Sequence, residues 1–350
     1  MTPVHETSDL PRTGSPLILG TMGWGAVPTP PPAPGEGPAL LAPADGERAE
    51  AARERARGAL RAGLDAGVTV LDTADIYGAG VSEETVGALV AELPAARRAA
   101  LRVQTKTGIV LHELGPDGRP RVRYDNSPAY VRAGLEASLG RLGTDTVDTL
   151  LIHRPDVLTP VADTVRAFLD AREAGLVRRL GVSNMGTARV LEYQRTLADL
   201  AADGTGLECV QMELGLHHRT LVEAVVLANH DAAPATAGAA DLGSVCAAEG
   251  IELQAWGPLA QGRYTRGADG AAPEGGPAAV VAEVARELEA SREAVVLAWL
   301  LRLPWGVRPV IGTQDPARLA ACAGADAAAA RMDGAQWHRL WTAARGETLP

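Results

Sequence analysis

Short apolar runs rich in Val, Ile and Leu alternate along the chain with longer stretches in which apolar residues recur at helical spacing. Most of the short runs are apolar throughout, which is typical of strands that helices cover on both faces. The predicted strands are Leu17–Thr21, Val68–Thr73, Leu101–Thr105, Thr149–His153, Arg179–Val182, Cys209–Glu213, Glu252–Trp256 and Arg308–Ile311. Eight strands that alternate with helices in one chain favour an α/β fold of the (β/α)8 barrel type (TIM barrel) over an open, doubly wound sheet.

Two of the helical stretches carry start signals. Ser82 is followed by two glutamates, so the sequence predicts Ser82 as a helix N-cap. Ser127 followed by Pro128 predicts an N-cap and a first helical position for another helix. The helical stretches are Gly46–Ala66, Ala129–Leu142, Val161–Ala174, Thr187–Ala201, Asp241–Ala248, Pro277–Leu303, Pro316–Ala323 and Gln336–Arg345.

We expect residues 1–350 to form a single barrel domain with two surface insertions. Residues 27–43 are rich in Pro and Gly and cannot form a helix or a central strand, and residues 229–240 are rich in Ala with little to bury. Residues 262–276 are rich in Gly and contain two arginines, so they are predicted either as a flap over a bound anion or as a solvated loop.

The net charge, the first residues of the chain and the lengths of its apolar runs exclude several classes of protein. The net charge of −10 would repel a phosphate backbone, so nucleic acid is excluded as a partner. The first 16 residues lack an apolar signal region, and no uncharged apolar run reaches membrane-spanning length. The sequence therefore predicts a soluble, cytoplasmic protein that does not bind membranes.

Neither a metal site nor an open dinucleotide-binding fold is indicated. Three cysteines without a CxxC spacing predict small buried residues, not a disulfide or a zinc site, and the adjacent pair His217 and His218 does not have ligand spacing. Gly78 and Gly80 follow a strand, but Glu83 stands where the G-x-G-x-x-G fingerprint requires its third glycine.

The basic residues are biased in a way that singles out one position. Of the 33 basic residues all but one are Arg, and the only lysine is Lys106 at the end of the third predicted strand. Arg is a broad fork that keeps its proton, whereas Lys is a compact charge that burial can retune. We therefore predict that Lys106 does something that Arg cannot.

Polar residues end three neighbouring predicted strands, where the active sites of barrels lie. Asp72 and Tyr77 end or follow the second strand, Lys106 ends the third and His153 ends the fourth. Tyr77 is the predicted general acid, because a nearby ammonium favours its phenolate. Asp72 would pair with Lys106, and His153 would orient a carbonyl oxygen. This set of residues suits carbonyl reduction.

The same residues lie in motifs that resemble the aldo/keto reductase family, in a bacterial branch. The segments concerned are Asp72-Thr73-Ala74-Asp75-Ile76-Tyr77-Gly78, Gln104-Thr105-Lys106, Ser138-Leu139-Gly140-Arg141-Leu142-Gly143-Thr144-Asp145 and Ile152-His153-Arg154-Pro155-Asp156. The resemblance covers roughly residues 17–325 and implies a (β/α)8 barrel. It implies an enzyme, an oxidoreductase that reduces aldehydes or ketones to alcohols with a nicotinamide cofactor.

The resemblance also implies which residues bind that cofactor. Thr21 would lie near the nicotinamide ribose, Ser183, Asn184 and Gln211 would hold the carboxamide, and Trp256 would stack on the ring. Thr313 and Arg318 lie in a segment similar to the one that binds the 2′-phosphate of NADP, so NADP is expected in preference to NAD. Departures near the adenine end, at Gly312, Ala321 and Cys322, leave that preference open.

Two other functions compete with a reductase. A nicotinamide-binding sensor or regulatory subunit could keep the cofactor site without turnover, although it would not need all four polar residues. A lyase or aldolase could use Lys106 as a Schiff-base nucleophile, but this would leave the Ser183, Asn184 and Trp256 matches without a purpose. The substrate and the oligomeric state are not predicted.

Overall fold

A computed structural model describes residues 14–28, 41–111, 121–201, 203–227, 230–231, 237–266 and 275–349. The strands are β1 (Ile18–Gly20), β2 (Ala26–Pro28), β3 (Leu41–Pro43), β4 (Val70–Asp72), β5 (Arg102–Thr107), β6 (Ile109–Val110), β7 (Arg123–Tyr124), β8 (Val147–Ile152), β9 (Val177–Ser183), β10 (Cys209–Glu213), β11 (Glu252–Trp256) and β12 (Arg308–Ile311). Within these residues, eight parallel strands close into a barrel in the order β1, β12, β11, β10, β9, β8, β5, β4. This confirms the predicted (β/α)8 architecture, and each predicted strand overlaps one barrel strand.

Helices surround the barrel on its outside. They are α1 (Gly46–Asp65), α2 (Val81–Ala91), α3 (Ala95–Ala100), α4 (Pro128–Leu142), α5 (Val161–Glu173), α6 (Thr187–Leu200), α7 (Thr220–Val226), α8 (Leu242–Ala248), α9 (Gly276–Glu287), α10 (Arg292–Leu301), α11 (Pro316–Ala323), α12 (Ala325–Arg331) and α13 (Gly334–Arg345). The short helices α3, α7 and α12 were not predicted from the sequence. No helix of the described ranges is both long and apolar enough to cross a bilayer.

The two predicted N-caps have opposite outcomes. The Ser127 hydroxyl accepts a hydrogen bond from the Tyr130 amide over 3.4 Å and caps α4, as predicted. Ser82 lies inside α2, whose N-cap is Gly80, so the prediction for Ser82 was wrong. The Ser82 hydroxyl instead donates to the Thr21 carbonyl over 2.8 Å, because a buried contact with the first barrel strand end takes the place of a local cap.

The long helix predicted over 277–303 is two helices, α9 and α10. Glu289, between them, has a φ of +47°, which ends the helical path. The Ser291 hydroxyl accepts from the Ala294 amide over 3.0 Å and caps α10. The sequence did not reveal this break, because the residues around it are good helix formers and keep the helical period.

The predicted surface insertions are described in part. The ends of the first insertion pair as a two-stranded antiparallel sheet, β2 with β3, and residues 29–40 lie outside the described residues. Prolines stand at the ends of these strands, a position that an edge strand tolerates. Of the second insertion, residues 237–239 form a short 3-10 turn. Most of the predicted flap, residues 267–274, also lies outside the described residues.

Side chains alternate between the barrel interior and the helix layer along each strand. Leu19, Leu71 and Leu150 belong to the large apolar cluster that the helices cover. Ile18, Val70 and Val310 form a separate small cluster, against which Trp256 packs. The cysteines Cys209, Cys246 and Cys322 are free and buried, as predicted. Among the described residues, no group of three or more His, Cys, Asp and Glu side chains is arranged to hold a metal ion.

Candidate active site

The structure brings the four predicted catalytic residues together at the carboxyl ends of neighbouring strands. Asp72 ends β4, Lys106 lies in β5 and His153 follows β8. Tyr77 begins a 3-10 turn, Tyr77–Gly80, which leads into α2. Three consecutive residues of this turn, from Gly78 to Gly80, have positive φ angles of 56°, 54° and 98°, which allow the chain to turn sharply enough to return the tyrosine to the strand ends.

Lys106 is completely buried and its ammonium has three partners. Its Nζ donates to Asp72 Oδ2 over 2.8 Å, to the Thr73 carbonyl over 2.9 Å and to Tyr77 Oη over 3.1 Å. Burial lowers the pKa of Lys106, but the negative charge of Asp72 and the contact with Tyr77 outweigh it, so this pKa stands above its ordinary value of 10.5. The lysine is therefore charged at neutral pH.

The pKa of Tyr77 is set by effects of opposite sign. Burial raises the pKa of its phenol above 10, the Lys106 charge lowers it, and the charges of Asp72 and Asp75 raise it again. The net pKa of Tyr77 is raised, whereas the sequence predicted a lowering by the neighbouring lysine. Lys106 also lies 4.8 Å from the centroid of the Tyr77 ring, so the ammonium contacts both the oxygen and the ring face.

His153 is buried and lies beside the tyrosine. The two ring centroids are 6.0 Å apart and the rings meet edge to face. Burial first, and then the positive charges of Lys106 and Arg154, hold the pKa of His153 well below 6.5. The imidazole is therefore neutral at neutral pH, which suits a hydrogen-bond partner for a carbonyl oxygen better than a permanent cation.

Asn184, which follows β9, and Trp256, which ends β11, are joined by a hydrogen bond. Asn184 adopts a left-handed backbone with φ +58°, which Asn tolerates better than most residues. Its side-chain nitrogen Nδ2 donates to the His153 carbonyl over 3.2 Å and to Ser183 Oγ over 2.8 Å. Trp256 Nε1 donates to Asn184 Oδ1 over 3.1 Å, which fixes the orientation of the indole. The Ser183 hydroxyl donates to the Gln211 carbonyl over 3.1 Å.

A sequence model of the aldo/keto reductase family matches residues 16–340. The chain belongs to this family. This confirms the resemblance read from the sequence motifs and establishes the protein as an oxidoreductase of the aldo/keto reductase type.

Related proteins agree with this assignment. The chain is 34% identical over 302 residues to a 6-dehydroglucose reductase from Novosphingobium aromaticivorans, a match that covers 83% of this chain and 86% of the relative. It is 32% identical over 305 residues to a 6-dehydroglucose reductase from Agrobacterium fabrum, covering 87% and 92%. Among solved structures, an aldo-keto reductase from Klebsiella pneumoniae in complex with NADPH has a TM-score of 0.62 and 25% identity, covering 92% of this chain and 89% of that one.

The remaining residues predicted to bind the cofactor of this aldo/keto reductase are Thr21, Thr313 and Arg318. Thr21 is completely buried, and both its hydroxyl and its main-chain amide donate to the Asp72 carbonyl, over 3.0 Å and 2.9 Å. Thr313 and Arg318 lie before and within α11. Between them, Asp315 caps that helix through the Ala317 amide over 2.9 Å, and its other oxygen lies 3.8 Å from Arg318 Nε.

Sequence reasoning missed several polar residues that support the site. Asp75 follows the β4 end, its amide donates to the Lys106 carbonyl over 3.1 Å, and its Oδ1 is buried without a partner among the described residues. Glu83, also buried, accepts from Arg141 Nε over 2.6 Å and from the Thr105 hydroxyl. Asp75 lies in one of the quoted motifs and Glu83 follows Ser82 in the sequence, but the sequence does not show which acidic residues are buried.

Three buried glutamines were also missed as supports of the site. Gln104, Gln211 and Gln254 lie inside the barrel beneath Asp72 and are each no more than 3% exposed. Only Gln211 was predicted as a site residue, and its role was assigned to the cofactor. The signal available in the sequence was the two-residue spacing of Gln104 and Lys106 along one strand.

Proposed function

We propose that this aldo/keto reductase reduces the carbonyl group of aldehydes or ketones to an alcohol, with NADPH as the reductant. The observation that carries the proposal is the contact between Lys106 Nζ and Tyr77 Oη, 3.1 Å long, with Lys106 held by Asp72. Because the lysine donates in this contact, the phenolic hydrogen of Tyr77 has no acceptor among the described residues. That hydrogen is available to a substrate oxygen.

A bound reduced nicotinamide supplies the hydride in this proposal. Tyr77 donates its proton to the carbonyl oxygen as negative charge develops there, and the Lys106 ammonium stabilises the phenolate that remains. Asp72 keeps Lys106 charged and in place. His153, neutral and beside Tyr77, hydrogen-bonds the carbonyl oxygen and fixes its position between the two side chains.

The residues around Trp256 fit a nicotinamide. The indole offers a flat apolar face whose orientation is fixed by Asn184, and such a face suits a flat ring. Ser183, Asn184 and Gln211 offer amide and hydroxyl groups to a carboxamide, and the Gln211 side-chain oxygen accepts no hydrogen bond within the described residues. At the other end, Arg318 and Thr313 would hold the 2′-phosphate, which supports NADPH.

The names of the relatives suggest a substrate to test. Two relatives that share about a third of their residues with this chain are named 6-dehydroglucose reductase. We therefore place 6-dehydroglucose in the substrate panel beside simple aldehydes and ketones. A Schiff-base role for Lys106 is disfavoured, because all three ammonium hydrogens are donated and a Schiff base forms from the neutral amine.

The test is NADPH oxidation, followed by absorbance, for the wild type, Tyr77→Phe and the matched control Tyr193→Phe. Tyr193 is buried in α6, one of the helices outside the barrel. We expect Tyr77→Phe to lower kcat at least ~100-fold, in line with the contribution of a general acid. NADPH binding, measured by quenching of tryptophan fluorescence, should stay unchanged, and Tyr193→Phe should retain activity.

Two outcomes would contradict this proposal. Wild-type protein that binds NADPH but reduces nothing in the panel would favour the sensor or regulatory subunit. Wild-type protein that binds no nicotinamide would remove the basis for any cofactor-dependent role.

A further inference from the structure

The carboxylate of Asp72 accepts hydrogen bonds from two buried glutamine side chains. Gln104 Nε2 donates to Asp72 Oδ1 over 2.6 Å, and Gln211 Nε2 donates to the same oxygen over 2.9 Å. Gln104 is the register partner of Asp72 on the neighbouring strand β5. With Lys106 on Oδ2, every hydrogen-bond partner of this carboxylate among the described residues is a donor.

A third glutamine fixes the orientation of the other two. Gln254 Oε1 accepts from Gln104 Nε2 over 2.8 Å and from Gln211 Nε2 over 2.9 Å. Gln254 Nε2 donates to Gln104 Oε1 over 3.0 Å and to Glu252 Oε1 over 2.9 Å. All six amide hydrogens of the three glutamines are thereby used, and each amide has one orientation that satisfies its partners.

Apolar side chains usually fill the interior of a (β/α)8 barrel, so a polar layer there requires an explanation. A buried amide costs free energy unless its hydrogen bonds are complete, and these are complete only when Asp72 accepts. A proton on Oδ1 would meet two N–H donors and disrupt the layer. The layer therefore requires Asp72 Oδ1 to act as an acceptor for both glutamines.

We propose that Gln104 and Gln254 are positioning residues of the reductase: through this amide layer they hold the Asp72 carboxylate in place as an acceptor for Lys106. The layer also commits both amide hydrogens of Gln211 to protein acceptors, so Gln211 presents only its oxygen to a ligand. This inference rests on the proposed function for its catalytic consequence, but its electrostatic part concerns the protein alone.

The single lysine allows a test without substrate or cofactor. Because Lys106 is the only lysine, protein labelled with 15N at Nζ and 13C at Cε of lysine gives one side-chain signal, which needs no assignment. In the wild type, the ammonium signal should be visible at neutral pH and exchange slowly with water. In Gln104→Leu, exchange of the ammonium hydrogens should accelerate about tenfold or more, as expected when a hydrogen bond to a charged group is lost.

Gln194 provides the matched control. It is a buried glutamine in α6 whose amide makes two hydrogen bonds, to the Leu207 amide and to Glu249, outside the barrel interior. Gln194→Leu removes a buried amide of the same kind and should leave the Lys106 signal unchanged. Gln254→Leu does not touch Asp72, yet it should shift the Lys106 signal in the same direction as Gln104→Leu, by a smaller amount.

Kinetics of Gln104→Glu give a second and independent test. At low pH the introduced carboxyl group is protonated and can still donate to Asp72, whereas at higher pH two carboxylates face each other and the donor is lost. The kcat of Gln104→Glu relative to wild type should therefore fall by about tenfold as pH rises, while the KM for the carbonyl substrate changes less than about threefold. Gln194→Glu should keep a constant ratio to wild type.

The outcomes separate this inference from the proposed function. An unchanged Lys106 signal in folded Gln104→Leu, or a pH-independent activity ratio for Gln104→Glu, would overturn the role of the amide layer while leaving the reductase intact. If Gln104→Leu does not fold, the comparison of Gln104→Glu with wild type decides, since its shape is nearly unchanged. A changed Lys106 signal in protein without reductase activity would support the amide layer and contradict only the proposed function.

Discussion

Replacing Asp75 by Asn should stabilise the protein, and by more at alkaline than at acidic pH. Burial, and after it the negative charge of Glu83, raise the pKa of Asp75 to about 7, while Thr107 and Arg141 lower it. The Oδ1 atom of Asp75 is buried without a partner among the described residues. An amide of nearly the same shape removes the charge that this position disfavours.

The size and sign of the effect follow from the two pKa values. An unfolded chain releases this proton near its ordinary pKa of 3.8, whereas the folded chain keeps it to about pH 7. Between these values the folded state binds one more proton, so ionisation of Asp75 weakens the fold as pH rises. At about 1.4 kcal/mol per pKa unit, the penalty approaches about 4 kcal/mol above pH 7, of which roughly 1.4 kcal/mol develops between pH 6 and pH 8.5.

Urea unfolding at pH 6 and pH 8.5, followed by tryptophan fluorescence, measures this difference. The advantage of Asp75→Asn over wild type should grow by about 1–1.5 kcal/mol between the two pH values, with an unchanged dependence on urea. Asp163→Asn, which replaces a partly exposed aspartate of α5 paired with Arg166, is the control and should show no such growth. An advantage that is equal at both pH values, or an Asp75→Asn protein less stable than wild type at pH 8.5, would refute the argument.

Two further substitutions test the cofactor end and the helix packing. Asp315→Asn removes a carboxylate 3.8 Å from Arg318, so it should tighten NADPH binding a few-fold while NADH binding, measured by the same fluorescence titration, stays nearly constant; equal changes would mean that Arg318 does not meet the extra phosphate. Gly87→Ala should lower the free energy of unfolding by ~1–3 kcal/mol despite its better helix propensity, because the added methyl group would collide with the Leu142 carbonyl. Gly140→Ala, whose methyl group would enter open space, should instead raise it by about 0.5–1 kcal/mol, and the same sign for both would contradict the packing explanation.

The barrel, and the meeting of the four predicted catalytic residues at one end of it, could be predicted because each depends on local signals. Apolar runs mark buried strands, and reactive side chains at strand ends meet once the strands are parallel. The resemblance to aldo/keto reductases then implied which of these residues act on a substrate and which bind a cofactor. The single lysine also indicated the position of the site. Every other basic residue is Arg, and the ammonium of Lys106 contacts both Asp72 and Tyr77.

The amide layer could not be predicted, because it depends on barrel register. Asp72 pairs with Gln104 across β4 and β5, and Gln211 pairs with Gln254 across β10 and β11. The two pairs are far apart in sequence and meet only when the barrel closes. Ser82 failed as an N-cap for a related reason, since its hydroxyl contacts Thr21 in another part of the chain.

The burial of Lys106 also gives the protein a single protected cleavage site. A protease that cuts only after lysine has one target bond in this chain, and that bond lies in the barrel strand β5. Cleavage requires β5 to leave its neighbours β4 and β8, which is an opening of the barrel itself and not the fraying of a loop. The rate of cutting in native buffer therefore reports how often the barrel opens, and a ligand that binds only the closed barrel should slow it.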